Sequence, residues 1–283
     1  MYNAFLLITI ILFISGQNIT KKVYTKKCGS GGVYLFNAIM STSALLFFVV
    51  TSDGLHFRLA LIPYALAFGI AFLTASVFAV LAYAEGSLSL SALLISYSLM
   101  LPTLYGLLFL EDPIGNGLFP GIGLLLLSLL LINKKSGKVK LSLKWFIYVG
   151  LAFLGNGFCT IFQKMQQVAF NGAYKNEMMI IALAFVALSM GLLSIGFERK
   201  GLKTYARHGW LPSLLCGIFN GIVNLFVMIL SGRMSSSVMF PLISSGGIVL
   251  TFLISKFIYK ETLTKTQYIG FALGTAAVVL LNL

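Results

Sequence analysis

The sequence predicts an all-α integral membrane protein with ten transmembrane helices arranged as a five-plus-five inverted repeat. Three observations carry that expectation. Of 283 residues, 59% are hydrophobic and only 10% are charged, and the mean hydropathy is +0.98; a soluble domain covers its surface with about 25% charged residues. The apolar residues fall in long runs, not in the alternation of a transmembrane barrel. Landmarks also recur at matching places on either side of a basic loop at 133–142.

A membrane helix needs about 20 mostly apolar residues. The first predicted span, 4–20, stops at Lys21 and Lys22, and the second, 33–52, stops before Asp53. The third, 59–83, begins after Arg58 and closes before Glu85; the fourth, 88–110, closes at Glu111 and Asp112. The fifth, 114–132, ends in the basic loop, and the sixth, 144–163, ends at Lys164. The seventh, 177–197, runs between Glu177 and Glu198, and the eighth, 210–230, stops short of Arg233. The ninth, 235–258, closes near Lys260 and Glu261, and the tenth covers 264–282. Connections this short leave no room for a soluble domain. The repeats 1–141 and 142–283 are therefore expected to form one membrane unit.

Charge follows the spans. Loops after odd spans carry sixteen of the 20 Lys and Arg; those after even spans carry only Arg58, Lys164, Lys175 and Arg233. The bias of short loops toward positive cytoplasmic charge places the odd loops inside and both termini outside. The net charge of +13 does not read as a nucleic-acid surface, because no basic face with interleaved aromatics exists. No basic residue precedes the first apolar run, so no cleaved signal peptide is expected. Cys28, Cys159 and Cys216 have no ligand spacing, and neither disulfides nor a metal site are expected. No cofactor is implied. His56 and His208 lie in loops and no buried acid–base set exists, so an enzyme is not expected. Most of the 24 Phe, 12 Tyr and 2 Trp read as lipid-facing bulk or interfacial belt.

The repeat is visible in pairs. Lys21-Lys22 late in the first span matches Gln163-Lys164 late in the sixth. Gly69, Ser76 and Phe78 match Gly217, Asn224 and Phe226, and Glu111 matches Glu261. Five helices per half make the two halves enter the membrane from opposite sides. Such an arrangement suits alternating access to a site near the middle of the membrane.

The run 235–255, with Ser244-Ser245 and Gly246-Gly247, is followed by Tyr259, Lys260, Glu261, Thr262 and Leu263, then by Gln267 to Gly270 and Ala277 to Asn282. This end resembles the last two helices of the drug/metabolite transporter superfamily, in both its small-multidrug-resistance and EamA-like branches. Gly86, Glu111-Asp112 and Gly121 to Gly123 repeat it more loosely in the first half. The resemblance implies a bacterial inner-membrane carrier of amino acids, other metabolites or drugs, and by analogy an exporter. Two departures stand out. Small-multidrug-resistance proteins carry a glutamate in the first helix, eight residues before a lysine; here Ile14 and Asn156 occupy those places. Ten-helix relatives usually keep both termini in the cytoplasm, against the charge count here.

All seven acids, Asp53, Glu85, Glu111, Asp112, Glu177, Glu198 and Glu261, fall at span ends or in loops. A buried carboxylate is the usual partner of protons and cations in transporters. Without one, a neutral or zwitterionic solute fits better than a permanent cation. Candidate binding groups are then the uncharged polar side chains: Asn18, Asn37, Ser76, Ser98, Asn156, Gln163, Asn220, Asn224 and Ser244, with Gln17 and Thr160 beside them. Asn156, Thr160 and Gln163 share one helix face at i, i+4 and i+7. Each also has a structural reading, as interhelical contact for Asn and Gln or as backbone bonding for Ser and Thr. Gly217 and Gly221 read as a close-packing pair, and Gly246-Gly247 as a hinge or plain packing. Lys22, Lys164 and Lys256 read as snorkelling to the headgroups, with an anion site as the alternative. Glu85 and Arg233 read as solvated interfacial charges or as gates.

The expected partners are a small-molecule substrate and membrane lipid, with no nucleic acid and with monomer or homodimer left open. The leading expectation is a secondary carrier of a small polar metabolite. An organic cation or drug exporter, a flippase for a lipid-linked group and a non-transporting scaffold are the alternatives.

Overall fold

The computed structural model describes residues 2–52, 54–86, 88–112, 116–133, 142–257 and 264–280. Asp53, the loop lysines 134, 135, 138 and 140, Lys260 with its Glu261 motif, and Asn282 lie outside the described residues. Among the described residues the regular structure is helical throughout: α1 (Tyr2–Cys28), α2 (Val33–Val50), α3 (Ile62–Glu85), α4 (Leu88–Ser96), α5 (Met100–Phe109), α6 (Leu118–Asn133), α7 (Leu143–Ala169), α8 (Lys175–Phe197), α9 (Leu202–Ser231), α10 (Ser236–Phe257) and α11 (Lys265–Leu280). Among the described residues, seven helical runs are long and apolar enough to cross a membrane.

Several helices outrun their apolar stretches. α1 continues past Lys21 to Cys28, α7 past Gln163 to Ala169, and α9 begins at Leu202, eight residues before its predicted start. Lys, Arg, Gln and Met are good helix formers, so the backbone ends where local geometry stops it. At the end of α1 that stop is Gly29, with φ +63°, followed by Gly32 at +67°, a conformation that favours glycine. The Tyr24 hydroxyl donates to the Gly31 and Gly32 carbonyls, at 3.0 and 2.6 Å. From across the fold, Glu198 accepts from the Tyr34 and Leu35 backbone N–H groups, both at 2.9 Å. Its carboxylate satisfies donors that the first turn of α2 leaves unpaired. Ser142 plays the same part at α7, accepting from Trp145 N at 3.1 Å.

The fourth predicted span is broken. Between α4 and α5 the chain tightens into a 3-10 turn at Tyr97–Leu99. Pro102 explains it: proline lacks the N–H that would reach the carbonyl four residues earlier, at Ser98, and its ring crowds that carbonyl. The corresponding span in the second half, α10, runs unbroken through Gly246 and Gly247. The bend therefore falls in the other half from the glycine pair.

The largest helix–helix interfaces all join the first half of the chain to the second. α3 packs along α7, α1 along α9, α2 along α8 and α9, and α6 along α11. Small residues permit the close approaches. A β-carbon added at Gly155 of α7 would stand 2.5 Å from the Ala75 nitrogen and 2.7 Å from the Ala71 carbonyl oxygen on α3. On α9, Gly217 faces the Met40 carbonyl of α2, and Gly221 faces the Phe47 ring. The main apolar core gathers around Phe36, Phe48, Phe68, Leu183 and Met190.

A second core holds Trp145, which is fully buried and donates through Nε1 to Ser91 Oγ at 2.9 Å. Trp145→Phe keeps most of the apolar bulk and removes this bond. It is expected to destabilise the protein by about 1–2 kcal/mol, read as a fall in melting temperature against the parent in one detergent. An unchanged melting temperature would show that the bond contributes nothing.

Candidate functional site

The walls of one internal cavity come from α1, α3, α4, α7, α9 and α10, with Met40 of α2 reaching its edge; its volume is about 130 Å³. Asn18, Ser76, Asn156, Gln163, Asn220, Asn224 and Ser244 all line it, drawn from both halves of the chain. The remaining two candidates lie elsewhere. Asn37 is buried in α2, one turn before the lining residue Met40, and its amide donates to the Val33 carbonyl at 2.8 Å. Ser98 sits in the 3-10 turn behind the wall and accepts from Asn156 Nδ2 at 2.6 Å. It holds a lining side chain without lining the cavity itself.

The lining amides form a chain. Gln163 Nε2 donates to Asn224 Oδ1 at 2.8 Å. Asn224 Nδ2 donates to both the backbone carbonyl and Oδ1 of Asn220, each at 2.9 Å, and Asn220 Nδ2 reaches Gln17 Oε1 at 3.3 Å. A second bond crosses between α3 and α1, from the Tyr83 hydroxyl to Asn18 Oδ1 at 2.8 Å. Each serine and threonine hydroxyl in the wall is committed to backbone: Ser76 to Phe72 O at 2.7 Å, Ser96 to Ala92 O at 2.7 Å, Thr160 to Gly157 O at 2.8 Å and Ser244 to Ser96 O at 3.1 Å. The apolar lining includes Phe72, Leu99, Val223, Val227, Phe240 and Ile243. A largely apolar wall with a few fixed polar groups is the usual make-up of a small-molecule site.

Among the polar lining residues, Tyr83, Lys21 and Ser96 escaped the sequence reading. Tyr83 lies seven residues beyond Ser76, on the same helix face, and was masked by the general abundance of aromatics. Lys21, four residues beyond Gln17, was assigned to a loop because the apolar run ends there. Extension of α1 carries it into the cavity wall. Among the described residues no carboxylate lines the cavity, and no group of His, Cys, Asp and Glu could hold a metal ion.

The two lysines next to this wall do not snorkel. Lys22 Nζ donates to the Tyr83 and Gly86 carbonyls at the end of α3, at 3.0 and 3.2 Å. Lys164 Nζ donates to the Ser231 and Met234 carbonyls at the end of α9, at 2.9 and 3.0 Å. In each half a late lysine closes the C-terminal carbonyls of another helix, where orphan acceptors and the helix dipole favour a cation. Glu85 pairs with Lys144 at 2.6 Å on the exposed surface, and Arg233 stacks over the Tyr2 ring. Lys256 stands 5.4 Å from the ring centre of Tyr268.

Residues 143–283 match the EamA-like transporter family. Through this half the chain belongs to that family. The match agrees with the drug/metabolite transporter superfamily expected from the C-terminal motifs. Together with the apolar helices, it makes the EamA-like chain a multi-pass membrane protein of transporter type. A protein known from its crystal structure has the same fold, with a TM-score of 0.75 over 100% of this chain and 99% of that one, at 16% sequence identity. No curated protein compared matches the EamA-like chain.

Proposed function

We propose that this EamA-like protein is a secondary transporter that moves a small polar metabolite, an amino acid or similar neutral or zwitterionic solute, across the bacterial cytoplasmic membrane. The observation that carries the reading is the cavity wall: amides from both halves meet there, with no carboxylate among the described lining residues. A permanent organic cation would enter such a site without a counter-charge. The volume of about 130 Å³ also falls below the roughly 300–1,000 Å³ of drug-sized sites, which favours a small solute over a drug.

Alternating access is supported by the paired construction of the molecule. α1 on α9 repeats α7 on α3, and the Lys22 contact repeats the Lys164 contact. These pairs suit a five-plus-five inverted repeat around a shared site. The export direction rests on the resemblance alone.

Counterflow in proteoliposomes tests the reading, with vesicles preloaded with single amino acids, sugars, nucleosides or quaternary ammonium compounds. Exchange of a small neutral or zwitterionic solute is expected. Asn224→Ala breaks the amide chain and is expected to slow that exchange about 10-fold or more, while costing on the order of 1 kcal/mol of stability. Exchange of quaternary ammonium alone would establish the rival cation reading. Folded protein that exchanges nothing in the panel would argue for a non-transporting role.

A further inference from the structure

The amide chain has a direction. Asn224 Nδ2 donates to a backbone carbonyl, that of Asn220, so the Asn224 side chain has one permissible orientation. Its Oδ1 must then face Gln163, and Asn220 must present its own amide N–H groups to Gln17. The chain thus ends with Gln17 Oε1 occupied and Gln17 Nε2 unspent. Asn18 ends the same way, because the Tyr83 hydroxyl occupies its Oδ1. One turn further along α1, Lys21 lines the same cavity, and among the described residues its ammonium has no hydrogen-bond or ion-pair partner. At the α1 wall, therefore, three neighbouring side chains offer unused N–H donors, and one of them is a cation, while each amide oxygen there is already engaged by one donor.

The opposite wall is complementary. Gln163 uses its amide nitrogen on Asn224 and on the Met179 sulfur, leaving Oε1 spare. Thr160 has given its hydroxyl hydrogen to the backbone and retains lone pairs. The repeat partner of Lys21 is Gln163, so the cavity is matched in position and unmatched in charge.

We propose that Gln17, Asn18 and Lys21 form an anion-binding subsite that takes a single carboxylate of the transported solute; this rests on the carrier reading above. One lysine balances one negative charge. A phosphomonoester carries about −1.5 to −2 at neutral pH and would leave excess charge in a largely apolar cavity, so the subsite selects carboxylate. A zwitterion lies with its carboxylate toward α1 and its ammonium toward the Gln163 oxygen.

Ligand-induced thermal stabilisation of the detergent-purified full chain tests this. The probes are the amino acids and small monocarboxylates, each with its carboxamide, together with phosphomonoesters, sugars and nucleosides. Stabilisation grows with ligand concentration over Kd, so each titration yields an apparent Kd. At least one carboxylate is expected to bind, with its carboxamide about 10- to 100-fold weaker, the equivalent of one charge-assisted hydrogen bond. Lys21→Gln is expected to bring acid and amide to equal affinity, and Lys21→Arg to keep the preference. Should Lys21→Gln fail to fold, the acid–amide comparison on the parent and the arginine variant still decides. Equal binding of acid and amide by the parent, preference retained in Lys21→Gln, or preference for phosphomonoesters would overturn the subsite. Binding of sugars or nucleosides alone would overturn it too, while leaving the small-solute carrier intact. A parent that answers to no probe would count against both.

Discussion

Gly155→Ala is expected to destabilise the protein by about 2 kcal/mol or more, among the largest effects of any single-methyl addition to this fold. The added carbon would stand 2.5 Å from the Ala75 nitrogen, 2.7 Å from the Ala71 oxygen and 2.9 Å from the Ala75 α-carbon. All three are backbone atoms, so no rotamer change relieves the clash, and α7 must move off α3. Overpacking of this kind costs about 1–3 kcal/mol, and more where backbone must shift. Gly150, five residues earlier on the same helix, is exposed and has nothing within 4 Å of its added carbon. Gly150→Ala is expected to be neutral or stabilising by up to about 1 kcal/mol, through the better helix propensity of alanine. The melting temperature of Gly155→Ala should fall below the parent's, and that of Gly150→Ala should hold or rise. An unchanged or raised melting temperature in Gly155→Ala would show that α3 and α7 are not packed this tightly. Function should follow stability, because Ala75 and Asn156, each beside the contact, line the cavity.

Lys164→Met should cost about 2–3 kcal/mol. Lys164 is only 6% exposed, and its ammonium makes two bonds to carbonyls at the end of α9. Bonds to a charged group contribute about 1.5–3 kcal/mol, and methionine leaves both acceptors facing an apolar side chain. Lys22→Met removes the matching contact at the end of α3, but Lys22 is only half-buried, and water can replace part of what is lost. The order of melting temperatures is therefore parent, then Lys22→Met, then Lys164→Met. The reverse order would show that the α3 contact, not the α9 contact, is the tighter closure.

Hydropathy and loop charge were enough to recognise a helical membrane protein, because the bilayer imposes the same requirement on every span. Where helices ended was less legible. Lys21, Lys26 and Lys27 read as a loop by polarity, yet nothing in them stops a helix before Gly29. Pro102 was visible, but whether a proline breaks a membrane helix depends on the neighbours available to re-satisfy the freed carbonyl. The polar residues of α7 and α9 that line the cavity were legible from spacing, as with Asn156 and Gln163 or Asn220 and Asn224, whereas on α1 Lys21 was not. Asn37 shows the limit: a polar residue in a span carries no mark of which neighbour its face will meet. Ser98 shows another, since a side chain one layer behind the wall has the same local pattern as one in it.

Because the broad interfaces run between the first half and the second, the first half has little to pack against when it leaves the ribosome. At about 5–20 residues per second, synthesis of the second half takes on the order of 7–30 s. Through that interval Gln17, Asn18 and Lys21 sit in α1 without α9, and Ser76 sits in α3 without α7. The biogenesis of this chain therefore includes a waiting state in which polar faces must be sheltered from lipid, by the insertion machinery or by retention near the headgroups. Its most vulnerable moment comes before the last helices exist, not after assembly.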